Sequence, residues 1–240
     1  MVIPFYKYHG TGNDFILIDH RNHQLSQFPV ELIPKLCDRR LGIGADGLML
    51  MQQHKQYDFA MIYYNADGSQ SLCGNGSRCA VHLAQYWGMV EQRAHFLTTD
   101  GPYQAFIQKD SIRLKMHDVP AIQPLAAGYF LNTGAPHYVQ LVDNLTSLDV
   151  PSVGRAIRYS QPLRKAGTNI NFVQLEGNNK LCIRTYERGV EDETLSCGTG
   201  ATAAALVSST KGWESPVHVS TRGGSLQVSF KAATQGFTDI

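Results

Sequence analysis

The chain repeats itself once, and that constrains its fold more than any other feature of its 240 residues. "NADGSQSLCGNGSRC" (65–79) sets Cys73 before a glycine-rich run that opens a helix. "ERGVEDETLSCGTGATAAA" (187–205) does nearly the same around Cys197, 124 residues later. "HGTGNDFILID" (9–19) matches "NTGAPHYVQLVD" (132–143), with Gly12 and Gly134 offset by 122. "TTDG" (98–101) matches "STRG" (220–223) at the same offset, and the helix-ending glycines Gly88 and Gly212 differ by 124. One such match is chance, glycine being common. Four in one order at nearly constant spacing indicate two copies of one unit.

The two copies carry the same elements. "DFILID" and "HYVQLVD" are apolar and β-rich, as are "YDFAMIYYNADG" and "KLCIRTYERG", and all four read as strands. "PVELIPKLCDRR" has apolar residues at helical spacing and reads as an amphipathic helix despite Pro34. "SRCAVHLAQYW" and "ATAAALVSST", following the two cysteines, suit helices buried on most sides. "GPYQAFIQKDSIRLKM" and "GGSLQVSFKAATQGFTDI" each read as a β-hairpin. The expectation is an α/β (α+β) fold of two pseudo-symmetric halves, 1–118 with Cys73 and 119–240 with Cys197, each a sheet around one helix. "DVPAIQPLAAGYF", with two prolines and no clear period, reads as the linker. "SIRLKM" has its counterpart near "FTDI", so the second half is expected to lack or truncate its last strand.

Composition excludes several classes of function. The formal net charge of +1 gives no electrostatic reason to bind nucleic acid or an anionic membrane. The apolar runs reach about half a membrane span, and "MVIPFYKYHGTGNDF" has no secretory pattern. Five cysteines without tight spacing argue against a disulfide scaffold and for a reduced compartment, hence a cytoplasmic protein.

A cysteine at a helix N-terminus meets unpaired backbone N–H groups and the positive end of the helix dipole, which favour thiolate over thiol. Gly74 and Gly76, or Gly198 and Gly200, let a ligand approach the backbone, and such a helix mouth can hold a carboxylate. Pseudo-twofold symmetry would bring the two sulfurs face to face. A thiolate and a thiol on opposite sides of an amino-acid Cα can invert it, one removing a proton and the other returning one. No nicotinamide or P-loop fingerprint occurs, and no lysine has an obvious pyridoxal phosphate context, so no cofactor is expected. No CxxC pair or histidine cluster has zinc-ligand spacing, so no metal is expected either.

"GTGNDF", "GIGADG", "NADGS", "CGNGSRC", "GAPH", "ERG" and "CGTGA", in this order, resemble the diaminopimelate epimerase family from residue 5 to the C-terminus. The resemblance implies two similar halves, each a curled mixed or antiparallel sheet wrapped around a central helix, with the active site in the cleft between them. It implies pyridoxal-phosphate-independent interconversion of LL- and meso-2,6-diaminopimelate for lysine and cell-wall synthesis, by a protein that is usually a homodimer. Carried over, it makes Cys73 and Cys197 the acid/base pair. Gly74, Asn75, Gly198 and Thr199 would bind the α-carboxylate, while Asn13, Asn65, Asn169, Glu187 and Arg188 would hold the rest of the substrate. His137 and Glu187 would tune the sulfurs. Ala135 stands where the family often has asparagine, and Gly47 where some members have glutamine.

Each residue also has a plainer reading. Cys37, Cys79 and Cys182 sit in apolar segments and read as core. His82, His95 and His218 read as surface or packing residues, Asn13 as a turn former, and Glu187 with Arg188 as a surface pair. A proline racemase, a phenazine-pathway-type isomerase and a non-catalytic binding protein are the competing readings of the whole.

Overall fold

The computed structural model describes residues 2–22, 28–109, 111–161 and 163–240. It divides into two compact units, Met1–Lys115 and Met116–Ile240.

In the first unit seven strands lie side by side in chain order. They are β1 (Tyr6–Gly10), β2 (Asn13–Asp19), β3 (Gly47–Gln52), β4 (Phe59–Asn65), β5 (Arg93–Thr98), β6 (Gly101–Gln108) and β7 (Ser111–Leu114). Pairing is antiparallel except β2 with β3 and β4 with β5, the places where a helical segment intervenes. Between β2 and β3 the expected helix is a 3-10 turn, Val30–Leu32, followed by α1 (Ile33–Cys37). Pro34 lies in the first turn of α1, where a missing N–H costs nothing. Between β4 and β5 runs α2 (Gly74–Tyr86). Its Ala80, Val81, Leu83 and Ala84 are buried in the core with Phe15, Leu17, Met49, Phe59 and Phe96, while His82, Gln85 and Tyr86 are exposed.

The second unit repeats this plan. Its elements are β8 (Gln123–Leu125), β9 (Gly128–Asn132), β10 (Pro136–Leu141), α3 (Val150–Arg158), α4 (Leu163–Ala166), β11 (Asn169–Gly177) and β12 (Lys180–Glu187). The hairpin strand β13 (Asp192–Thr194), α5 (Gly198–Ser208), β14 (Val217–Thr221) and β15 (Gly224–Val228) follow. The sheet order is β15-β14-β12-β11-β10-β9-β8, with β10–β11 and β12–β14 parallel. Helix α5 is enclosed: every residue from Thr199 to Ser208 is buried. Each large aliphatic side chain so placed, such as Leu206, contributes about 1.5–3 kcal/mol.

The register makes the repeat three-dimensional. Phe15 pairs with Gly47 across β2–β3, as His137 pairs with Asn169 across β10–β11. Met49 faces Tyr63, as Asn171 faces Thr185. Gly88 (φ 71°) and Gly212 (φ 79°) both close their helical segments in the left-handed region that glycine tolerates.

Three expectations are corrected. "TTDG" corresponds in space to Thr221–Gly224, not to "STRG". Both turns pair their threonine with a positive-φ glycine, Thr98 with Gly101 and Thr221 with Gly224, and in each the hydroxyl donates to the glycine carbonyl. The second glycine of "RGG", not the first, takes that place. The segment read as a linker is ordered into β8 and β9. After β15 the chain does not form a hairpin on the sheet edge: β16 (Lys231–Ala232) and β17 (Phe237–Thr238) pair with each other, and Val119 bridges Phe237. Among the described residues, the sheet position occupied by β7 in the first unit thus has no counterpart beside β15.

Candidate active site

Both cysteines are helix N-caps in extended conformation, Cys73 at φ −130° and Cys197 at φ −123°. The first intrahelical bonds are Ser77 N–H to the Cys73 carbonyl and Ala201 N–H to the Cys197 carbonyl, each 2.8 Å. The amides preceding them point out of the helix mouth, beside the sulfur. Sequence fixes this locally, because the C-G-x-G pattern keeps bulky side chains off the first turn.

In the first unit Gly76 N–H donates to Cys73 Sγ at 3.4 Å, and the sulfur lies 3.5 Å from Asn13 Oδ1. The Asn13 amide is oriented from behind. Its Nδ2 donates to Asp46 Oδ2 at 2.7 Å, so its oxygen is turned towards Cys73 and towards Asn75 Nδ2, 3.3 Å away. Asn75 in turn accepts from the Arg78 guanidinium. Arg39 bridges Asp46 and Asp14. Burial raises the Asp14 carboxyl, but the bonds from Arg39 and Lys7 outweigh it and hold the group at about 2. Asn65, the last residue of β4, donates to Ser69 and accepts from Ser71.

In the second unit Cys197 Sγ lies 3.5 Å from Thr199 Oγ1, which lies 2.9 Å from His137 Nε2. His137 is fully buried, and burial lowers its pKa to about 3. Its Nδ1 is 3.0 Å from Asn171 Nδ2. Asn169, also on β11, accepts from Arg188 N–H through Oδ1 and donates to the Pro136 carbonyl. Glu187, the last residue of β12, accepts from Thr194 at 2.7 Å, and Arg188 is exposed.

The expected site residues therefore gather into two groups, one per unit. Asn13, Cys73, Gly74 and Asn75 form the first, with Asn65 beside Ser71 two residues before the cysteine. His137, Asn169, Glu187, Arg188, Cys197, Gly198 and Thr199 form the second. Sequence reasoning missed Asp46, Arg78, Asn171 and Thr185. Asp46 lies in "GIGADG", and Asn171 follows Asn169 by two, the spacing that puts both on one face of a strand. That alternation was the available signal.

The later glycines of the two motifs have a packing role. A Cβ on Gly76 would lie 3.2 Å from Met49 Sδ, and one on Gly200 only 2.5 Å from Asn171 Oδ1. At Gly47 a Cβ would lie 2.5 Å from the Tyr63 ring, so this chain's departure from the family pattern goes with a tyrosine that fills the space. Cys37 and Cys79 are core, their thiols pushed by burial up to about 11 and about 12. Cys182 is half-buried and packs against a second core cluster, with Tyr138, Phe172 and Tyr186, its thiol 3.0 Å from Glu176 Oε1. His82, His95 and His218 are exposed.

Residues 5–120 and 129–238 match the family model for diaminopimelate epimerase. A protein named diaminopimelate epimerase from Flavobacterium psychrophilum is 48% identical over 99% of this chain and 94% of its own length. One from Aquifex aeolicus is 40% identical, over 92% and 88%. Among solved structures, a PhzF-family phenazine biosynthesis protein from Bacillus anthracis aligns with TM-score 0.74 at 13% identity, over 98% of this chain and 92% of that one. A probable proline racemase from Agrobacterium radiobacter K84 aligns with TM-score 0.66 at 14% identity, over 98% and 88%. Identities this low speak for the shared mixed α/β fold alone.

Proposed function

Because the chain belongs to the diaminopimelate epimerase family, we propose that it interconverts LL- and meso-2,6-diaminopimelate without a cofactor, in lysine and peptidoglycan precursor synthesis. The enzyme is an isomerase. The observation that carries the reading is the pair of helix-capping cysteines, each beside outward-pointing amides.

In this reading the halves, 1–118 and 119–240, present their helix mouths to one substrate. The thiolate of one cysteine takes the α-proton, forming an S–H bond as the C–H bond breaks. The thiol of the other gives its proton to the opposite face of the carbanion. Charge that develops on the α-carboxylate is stabilised by the amides of Gly74, Asn75, Gly198 and Thr199 and by the two helix dipoles. Asn13, Asn65 and Asn169 orient the substrate. Arg188 grips the distal carboxylate, and Glu187 takes an ammonium. His137 and Glu187 adjust the sulfurs. The protein works in the cytoplasm, as a homodimer. Among the described residues no helix is long and apolar enough to cross a membrane.

The test is incubation with LL-diaminopimelate in deuterated water, following stereochemistry and label together. Inversion with deuterium at the inverted centre is expected. Cys73→Ala and Cys197→Ala should each lower the rate by at least about 10³-fold, since each removes an acid/base group of the inversion. Near-normal turnover in either variant, or proline turning over as fast as diaminopimelate, would overturn the assignment.

A further inference from the structure

Three polar side chains lie buried beneath α5 at positions that aromatic and thioether side chains hold beneath α2. By register, His137 corresponds to Phe15, Asn171 to Met49 and Thr185 to Tyr63. The glycines support the correspondence: Gly76 packs on Met49 as Gly200 packs on Asn171. Exposure of His137, Asn171 and Thr185 is 0%, 0% and 3%, so each polar atom there needs a partner. The partners form a single chain of contacts.

Hydrogen-bond direction along that chain is determined by its fixed groups. Asn171 Nδ2 faces the Tyr138 carbonyl at 3.1 Å, which can only accept, and Asn171 Oδ1 receives the Thr185 hydroxyl at 3.0 Å. Reversing the amide would set its oxygen against the Tyr138 and Asn169 carbonyls, which can only accept, whereas the Thr185 hydroxyl could serve either orientation. The Asn171 N–H then meets His137 Nδ1, which must be the unprotonated nitrogen. The imidazole is neutral, because burial opposes its charge and Arg188 nearby adds to the effect. Its one proton therefore sits on Nε2 and is donated to Thr199 Oγ1. The threonine hydroxyl, having accepted, has its own hydrogen to give, and Cys197 Sγ lies at 3.5 Å.

Resting on the epimerase reading, we propose that Thr185, Asn171 and His137 form a one-way hydrogen-bond chain that aims the Thr199 hydroxyl proton at Cys197 Sγ and so stabilises the Cys197 thiolate. Asn171 and Thr185 are positioning residues. His137 is a neutral donor fixed in one tautomer and takes no proton from the sulfur. In the first unit Phe15 and Met49, at the places of His137 and Asn171, carry no N–H or O–H to pass on; Tyr63, at the place of Thr185, does carry a hydroxyl, and Cys73 Sγ lies beside the Asn13 carbonyl, an acceptor. The other groups near the second site are Arg188, after the end of β12, and Glu187, which accepts from Thr194.

The experiment measures two quantities, neither of which uses substrate. Nitrogen NMR of the full chain at neutral pH reads the His137 tautomer, and Nε2–H with bare Nδ1 is expected. Iodoacetamide labelling against pH, with the Cys197 and Cys73 peptides quantified together by mass spectrometry, reads each thiolate. Thr199→Val should raise the Cys197 midpoint by about one pH unit, a labelling rate about tenfold lower below the midpoint, with Cys73 unmoved. Thr199→Ser should restore it. Asn171→Leu should move the same midpoint and release the tautomer; the threonine pair decides the matter if that variant does not fold. A His137 protonated on Nδ1, or a Cys197 midpoint that ignores Thr199→Val, would overturn the proposal. Diaminopimelate turnover is scored separately, so failure of the wiring and failure of the function are told apart.

Discussion

Beneath Cys73 the first sheet offers Phe15, Met49 and Tyr63; beneath Cys197 the second offers His137, Asn171 and Thr185. The backbone is the same in both places, down to the parallel register and the glycine that lets the helix settle on the strand. Helix mouth and cysteine are therefore not enough to define a sulfur's chemistry. One sulfur sits over a floor of aromatic and thioether side chains, with Asn13 and Gly76 at its side. The other sits above a buried polar column. A duplicated scaffold has kept its geometry and changed what lies under it.

Exchanging the floors is the most direct way to break the comparison. Phe15→His should cost about 3 kcal/mol or more, because it removes a buried aromatic side chain and leaves an imidazole among apolar neighbours without partners. His137→Phe should cost less, about 1–3 kcal/mol, by taking partners from Asn171 and Thr199. It should also slow turnover about tenfold. Denaturant titration with kinetics checks both. If Phe15→His proved the milder change, the two floors would not differ as described.

Acid separates the units next. The folded pKa of His137, about 3, lies below its ordinary 6.5, so the unfolded chain binds the extra proton. Its share of stability is complete above about pH 6.5 and falls as pH drops, at up to about 1.4 kcal/mol per unit. Asp14 in the first unit, held at about 2 against 3.8, keeps its contribution until pH falls below about 3.8. The chain has two tryptophans, Trp87 and Trp213, one in each unit. With Trp213→Phe and Trp87→Phe each leaving one reporter, Trp213 fluorescence should register the earlier loss, at moderately acidic pH. Simultaneous transitions that His137→Phe leaves unchanged would contradict it.

The smallest effect concerns the missing amide. Ala135 stands at the repeat position of Asn13, and Ala135→Asn should lower KM for diaminopimelate by about two- to fivefold with little change in kcat. Steady-state kinetics with diaminopimelate and lysine would check it. A fall in kcat instead would show that position 135 bears on Cys197 and not on substrate binding.

The repeat, the strand pairs and the cysteine-capped helices could be read from the sequence because glycine and alternating apolar residues record backbone demands directly. Asn171 could not be read so easily. On a strand with both faces buried, the asparagine in "NINFV" can be placed on the face of Asn169 but gives no hint of the histidine it meets. Asp46 was hidden for a similar reason: its work is to turn the Asn13 amide, a contact between residues 33 positions apart. The supposed linker misled because prolines near 120 and 124 suggested irregular chain, whereas Pro124 sits at the sheet's edge, where a strand needs no N–H from it.

Helix α5, buried from Thr199 to Ser208, has one seat and no slack. Its Ala203, Ala204 and Ala205 leave no long side chains that could shift to absorb an error. The position of Cys197 is therefore inherited from the middle of the protein, as the tip of a key is placed by its shaft. Adding a methyl group deep in that helix would misplace the sulfur without touching it. Evolution or an engineer seeking a new substrate has room to move in the loops around the helix mouth and almost none along its length.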